Sequence, residues 1–135
     1  MQGIQDLGGK RVCAPAGTLS FATVAKAAGH PIPVGVADQA DCLALLQMGE
    51  VDGVSSDEAL LLGFAAQDQS VKVVGPKLNS MPYGLGVSQA HPEFVRYLNA
   101  VLERMRTDGT WTAAYNRSVA RLGGPATPPV PAYRD

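Results

Sequence analysis

The chain has 135 residues, the size of one ordinary domain: enough to bury a core, too few for two full-sized domains. Eleven basic residues against twelve acidic ones leave a net charge of -1 with no long run of either sign, so the basic stripe that grips phosphate backbones is lacking and nucleic acid is not the expected partner. No apolar stretch nears the roughly 20 residues needed to cross a bilayer, and the first residues lack the basic and hydrophobic regions of a signal peptide, so a soluble piece is expected.

After Met1-Gln2-Gly3-Ile4 the chain meets a junction-like cluster, Gln5-Asp6-Leu7-Gly8-Gly9-Lys10, which suggests a segment cut from a longer protein. Arg11-Val12-Cys13-Ala14, bounded by Gly9 and Pro15, predicts a short buried strand. Phe21, Val24, Ala25 and Ala28 fall at helical spacing, with Gly29 as the expected C-terminal cap. A second strand is expected from Ile32 to Val36. Asp38 then stands as an N-cap with Asp41 in the capping-box position, and Cys42, Leu45 and Leu46 carry the helix to Gly49. Val51-Asp52-Gly53-Val54 is β-like, and Asp57 opens a helix through Leu60, Leu61 and Phe64. Val71-Lys72-Val73-Val74 and Tyr83-Gly84-Leu85-Gly86-Val87 are further strand candidates, separated by a loop marked by Gly75, Pro76, Asn79 and Pro82. Pro92 starts a long helix with Phe94, Val95, Leu98, Val101, Leu102 and Met105 on one face; Asp108-Gly109 ends it, and Thr110 caps another carrying Trp111, Ala114, Tyr115 and Val119. Phe94, Trp111 and Tyr115 read most simply as core residues. Strands alternating with helices predict an α/β fold with a mainly parallel, five-stranded sheet flanked by helices, plus C-terminal helices.

In such sheets ligands collect beyond the carboxyl ends of the strands, where helix amino ends present backbone N–H groups. Two turns fall there. In the first, Gly17 permits close approach, Thr18 offers a hydroxyl, and the amides of Thr18, Leu19 and Ser20 suit a carboxylate; read locally, the same residues are an ordinary capped helix start, the commoner meaning. In the second, Ser55-Ser56-Asp57, the carboxylate suits an ammonium group or serves as an N-cap, and its several acceptor sites allow both. An anion cradle beside a carboxylate is what a zwitterionic amino acid requires. Cys13 and Cys42 are the only cysteines: a disulfide between them would imply an oxidising compartment, and two separate buried thiols is the better reading for a cytosolic chain. His30 and His91 flank prolines at element boundaries and suit turns or caps. Gly84-Leu85-Gly86 lacks the rest of a dinucleotide fingerprint. No catalytic triad, acid pair or zinc spacing appears, so no catalytic residue, metal or cofactor is expected.

Several segments together resemble the extracytoplasmic solute-binding proteins of ABC importers that take polar amino acids. Asp6 to Val12 followed by Ala16-Gly17-Thr18 is similar to the family's entry into its second lobe. Leu46-Gln47-Met48-Gly49-Glu50-Val51-Asp52-Gly53-Val54 with Asp57 is similar to its "L-x-x-G-x-x-D-A-V-x-x-D" stretch. Tyr83 to Val87 resembles the strand returning through the hinge, and Leu102 to Tyr115 resembles the closing "L-x-x-D-G-T-[YW]-x-x-x-Y" helices. The resemblance implies a type II periplasmic-binding-protein lobe: residues 1–87 as the second, ligand-closing lobe including a hinge at Pro82 and Tyr83, and 88–122 as C-terminal helices, while composition alone makes 123–135 a Pro/Gly-rich tail expected to be disordered. The resemblance also implies that Thr18 and the Leu19 amide hold ligand oxygens, that Asp57 binds the α-amino group, and that Cys13 and Cys42 form a disulfide; with the turn reading, the expected ligand-binding set is Gly17, Thr18, Leu19, Ser20, Ser56 and Asp57. Pro15 and Ala16 stand where some relatives carry lysine or another polar side chain, and Ser56 where others are larger.

The function so implied is capture of glutamate, glutamine, aspartate or asparagine for an ABC permease, without chemistry. The parent would be extracytoplasmic, lipid-anchored or secreted, and its first lobe would supply the other half of the site. A sensory ectodomain of the same fold, coupled to a signalling receptor, is the alternative; a dehydratase-like enzyme would need catalytic acids that the sequence does not display. The apolar face of the C-terminal helices suggests dimerisation through Leu98, Leu102 and Met105.

Overall fold

The computed structural model describes residues 2–81, 83–120, 127–128 and 130–133. A 3-10 turn (Ile4–Leu7) leads into β1 (Arg11–Pro15), α1 (Leu19–Ala25), β2 (Ile32–Val36), α2 (Gln39–Gln47), β3 (Gly53–Val54), α3 (Glu58–Gln67), α4 (Pro92–Thr107) and α5 (Thr110–Ser118). The chain divides into two compact units, Met1–Asn79 and Ser80–Asp135.

In the first unit three parallel strands run in the order β2-β1-β3. Successive strand side chains point to opposite faces, and the central strand uses both. Val12 clusters with Val24 of α1, Leu7 and Ile4, whereas its neighbour Cys13 clusters with Cys42 of α2 and with Val51, Val34, Val36 and Val54. The register carries the same division across the sheet, because Cys13 is level with Val34 on one side and Val54 on the other. Helices α1 and α2 therefore cover opposite faces. Pro33 is tolerated because β2 is an edge strand.

Local signals account for several boundaries. Thr18 caps α1, its Oγ1 accepting from the Phe21 amide at 3.2 Å. Asp38 caps α2, with its amide donating to the Asp41 carboxylate at 3.3 Å. Gly29 does not cap α1 as expected. The helix stops at Ala25, and the residue in the left-handed region is His30, with φ 49°. Gly29 is small for another reason: a Cβ there would stand 2.7 Å from the Ile4 carbonyl oxygen. Likewise Thr110 is not the cap of α5 but its first residue. Gly109, at φ 82°, is the N-cap, and the Thr110 amide donates to Asp108 Oδ1 at 2.9 Å.

The fourth and fifth strands expected at residues 71–74 and 83–87 are not formed: among the described residues the sheet has three strands. A strand exists through the ladder it shares, and β-forming composition does not supply a partner. β3 contributes two residues only, and the Val71 amide is already used, donating to the Asp68 carbonyl at 3.3 Å. The same shortfall explains α3. Its run from Ala59 to Ala66 is apolar all round, a pattern that normally belongs to a buried helix, yet no residue of it is buried.

In the second unit α4 and α5 form a hairpin whose helices bury no residue. Trp111 and Tyr115 stack at 5.3 Å between ring centroids and are half-buried. Phe94 is not a core residue as expected: it is 48% exposed and stacks on Tyr97 at 6.3 Å. Of the tail, residues 121–126, 129, 134 and 135 lie outside the described residues; the Tyr133 hydroxyl donates to Glu103 Oε2 on α4 at 2.7 Å.

Candidate functional site

The strand order fixes where a ligand crevice opens. From β1 the chain moves outward to β2 and then crosses back over β1 to β3, so the winding reverses between β1 and β3. Loops leaving the carboxyl ends of two such strands diverge towards opposite faces, and the gap between them is the usual ligand position in open α/β sheets. The loop after β1 is Ala16-Gly17-Thr18 and the loop after β3 is Ser55-Ser56-Asp57. The structure brings these two predicted turns to one edge of adjacent strands. The Ser55 amide donates to the Cys13 carbonyl at 2.8 Å, and the Ala16 amide to the Val36 carbonyl at 2.9 Å.

Within the first loop Gly17 adopts φ 76°, the left-handed region that favours glycine, and a Cβ there would meet nothing within 4 Å. Its role is the turn itself and the open space above it. The Thr18 hydroxyl donates to the Pro15 carbonyl at 2.7 Å while accepting from the Phe21 amide, and the Thr18 amide also turns to the Pro15 carbonyl at 3.3 Å. Thr18 thus spends both its donors on shaping the turn. The amides left by their place in the helix without an intrahelical acceptor are those of Leu19 and Ser20. Leu19 is exposed and Ser20 half-buried.

In the second loop Ser56 is half-buried and Asp57 exposed. Asp57 is the N-cap of α3, its carbonyl accepting from the amides of Leu60 and Leu61, each at 3.0 Å. Beneath both loops Cys13 and Cys42 are joined in a disulfide, their Cα atoms 5.5 Å apart and neither side chain reached by solvent.

The opposite, amino edge of the sheet is held by a separate clamp. The Asp52 carboxylate accepts from the Arg11 amide at 2.8 Å and from Lys10 Nζ at 3.1 Å, while the Asp52 amide donates to the Arg11 carbonyl at 2.8 Å. The Arg11 amide first, and Lys10 next, hold the Asp52 carboxyl below its ordinary range. Two residues that sequence reasoning did not single out for the site bond to the helices that leave its loops: Lys77 to Glu58 of α3, and Asn79 to Thr23 of α1. Nothing in a Gly/Pro-rich loop marks them locally; only the contacts do.

Pro82 is outside the described residues, and Tyr83, 81% exposed, belongs to the second unit. His91 is the N-cap of α4, its Nδ1 3.3 Å from Glu93 Oε1. Among the described residues no group of three His, Cys, Asp or Glu side chains could hold a metal ion, and no helix is long and apolar enough to cross a membrane.

No family model matches the chain. It is 25% identical over 118 residues to the glutamine-binding protein of an ABC transporter in Bacillus subtilis, covering 87% of this chain and 43% of that protein. It is 33% identical over 76 residues to the glutamate-binding protein of Corynebacterium efficiens, covering 52% of this chain and 26% of that one. Among solved structures, an ancestral arginine-binding protein bound to arginine superposes with a TM-score of 0.75 at 30% identity, over 87% of this chain and 54% of that one. An ancestral arginine-binding protein bound to glutamine gives 0.74 at 29% identity, over 92% and 54%. The chain spans less than half the length of the two sequence relatives and about half that of the two structures. The relatives are solute-binding proteins. In sequence and in fold alike, the chain is related to the amino-acid-binding proteins of ABC importers and has the α/β lobe of the type II periplasmic binding proteins.

Proposed function

We propose that this chain is the second, ligand-closing lobe of the extracytoplasmic amino-acid-binding component of an ABC importer, binding a polar or acidic L-amino acid without transforming it. The observation that carries the reading is the meeting of two loops at the β1/β3 crevice, one presenting backbone N–H groups and the other a carboxylate. Leu19 and Ser20 amides, with Gly17 opening the approach and Thr18 shaping the turn, take the α-carboxylate; Asp57 beside Ser56 takes the α-ammonium. A first lobe completes the site, with a hinge at Pro82 and Tyr83. The partner is a membrane permease, and the parent protein is lipid-anchored or secreted.

The test is titration of the chain with L-glutamate, L-glutamine, L-aspartate and L-asparagine, followed by amide NMR. Half a site binds weakly, so millimolar affinities are expected, with shifts confined to residues 16–20 and 55–58. Removing a charged hydrogen-bonding group costs roughly 1.5–3 kcal/mol, so Asp57→Ala lowers affinity by about ten- to a hundredfold. Unchanged affinity in that variant rejects the site. The half-buried Leu98, Leu102 and Met105 of α4 are also proposed to pair copies of the chain; light scattering that shows a clean monomer at high concentration rejects the pairing.

A further inference from the structure

The segment closing the first unit touches both helices that leave the ligand loops. Lys77 Nζ lies 2.7 Å from Glu58 Oε2, and Glu58 is the first residue of α3, one position beyond Asp57. Two residues further on, Asn79 Nδ2 donates to Thr23 Oγ1 at 3.1 Å, and Thr23 lies about one turn into α1, whose N-cap is Thr18. Residues two apart are separated by at most about 7 Å between Cα atoms. Two side chains of one short segment are therefore bonded to the helices that follow the two loops.

The charges at that place carry the argument further. The amino end of α3 presents two consecutive carboxylates, Asp57 and Glu58. With Asp57 assigned to the α-ammonium, an unopposed Glu58 would draw a ligand whose side chain is cationic. Lys77 sits at ion-pair distance from Glu58. An exposed pair of this kind, with side chains 70% and 51% exposed, contributes little to folding stability. Its effect on a charged ligand in the neighbouring crevice is a different matter, because the ligand's own side-chain charge changes sign from one amino acid to another.

Resting on the amino-acid-binding reading above, we propose that Lys77 is a specificity-determining residue: by opposing Glu58 it disposes the crevice towards ligands with neutral or acidic side chains and against those carrying guanidinium or ammonium groups. Asn79 acts beside it as a positioning residue, holding the same segment to α1 and carrying no charge.

The experiment is an NMR titration of the 135-residue chain and its variants with L-glutamate, L-glutamine and L-arginine. In Lys77→Ala the ratio of L-glutamate to L-arginine affinity falls by roughly three- to tenfold while L-glutamine changes little, and the shift shrinks in about 0.5 M salt. Glu58→Gln moves the ratio the other way, and Lys77→Arg keeps it. Asn79→Ala, which breaks the contact without altering charge, changes all three affinities by a common factor. Parallel changes for all three ligands in Lys77→Ala, or none, overturn the proposal by reducing Lys77 to a structural contact. Failure of the unaltered chain to bind any of the three overturns the ligand-site reading itself, an outcome separate from the first.

Discussion

Two single residues set the geometry of the sheet at its opposite edges, and each makes a distinct prediction. At the amino edge, the Asp52 carboxylate is held ionised by the Arg11 amide and by Lys10, so its folded-state pKa lies below the ordinary 3.8. A depressed carboxyl contributes stability above its unfolded pKa and loses it as the pH falls through the folded one. Asp52→Asn is therefore expected to lower the melting temperature at neutral pH and to flatten the acid limb of the stability profile below about pH 4. Thermal melts from pH 2 to pH 7 check this; an acid limb identical to that of the parent chain would show that the clamp does not couple to folding. At the carboxyl edge, Gly17 has φ 76° and open space where a Cβ would project. Gly17→Ala meets no steric neighbour, so its cost is the conformational one alone, about 1 kcal/mol in urea denaturation. A much larger loss would mean that the open space above the turn is filled in solution.

At the scale of elements, the disulfide ties the central strand to the helix covering one face. Cys13 on β1 and Cys42 on α2 are 29 residues apart in sequence and fully buried. Closing a loop of that length removes chain entropy from the unfolded state worth about 3.5 kcal/mol, a figure that strain and residual structure usually reduce. The double variant Cys13→Ala with Cys42→Ala should unfold at lower urea by an amount equivalent to about 2–4 kcal/mol, and the parent chain should approach it on full reduction. A midpoint unmoved by reductant would remove the bridge from the stability of the lobe. The pairing also shows which parts of the fold could be read in advance. Asp38 with Asp41, Asp57 ahead of an apolar run, and Pro92 at the start of α4 act within one turn of chain, so their elements appear where local pattern predicts. Residues 71–74 have the composition of a strand but need a neighbour that β3, with two paired residues, does not extend to them. The placing of the two candidate loops was legible because each is a helix start after a strand. Lys77 and Asn79 were not, since their significance lies in contacts with Glu58 and Thr23 far back in the sequence.

For the whole molecule, burial divides unequally between the two units. The buried apolar residues Leu7, Val12, Cys13, Ala14, Val24, Cys42 and Val51 all fall within Met1–Asn79, whereas α4 and α5 bury none. Hydrogen bonds in a helix that buries no residue break by local fraying, while those of a strand covered on both faces break only when the unit opens as a whole. Isolated helices of this length gain most of their stability from packing, and within the hairpin that packing includes the stacked Trp111 and Tyr115 rings. Amide hydrogen exchange of the chain should therefore show two classes. The amides of β1 and α2 exchange slowest, at a rate set by global unfolding of the disulfide-linked unit. Those of α4 and α5 exchange faster by at least about a hundredfold, a gap of roughly 3 kcal/mol in opening free energy. A covering surface on α4, whether from a first lobe or from a second copy, should slow the α4 amides selectively and leave β1 unchanged. If α4 is as protected as β1 in the dilute chain, the second unit is held by contacts that the hairpin does not supply, and the proposed pairing face would be occupied already.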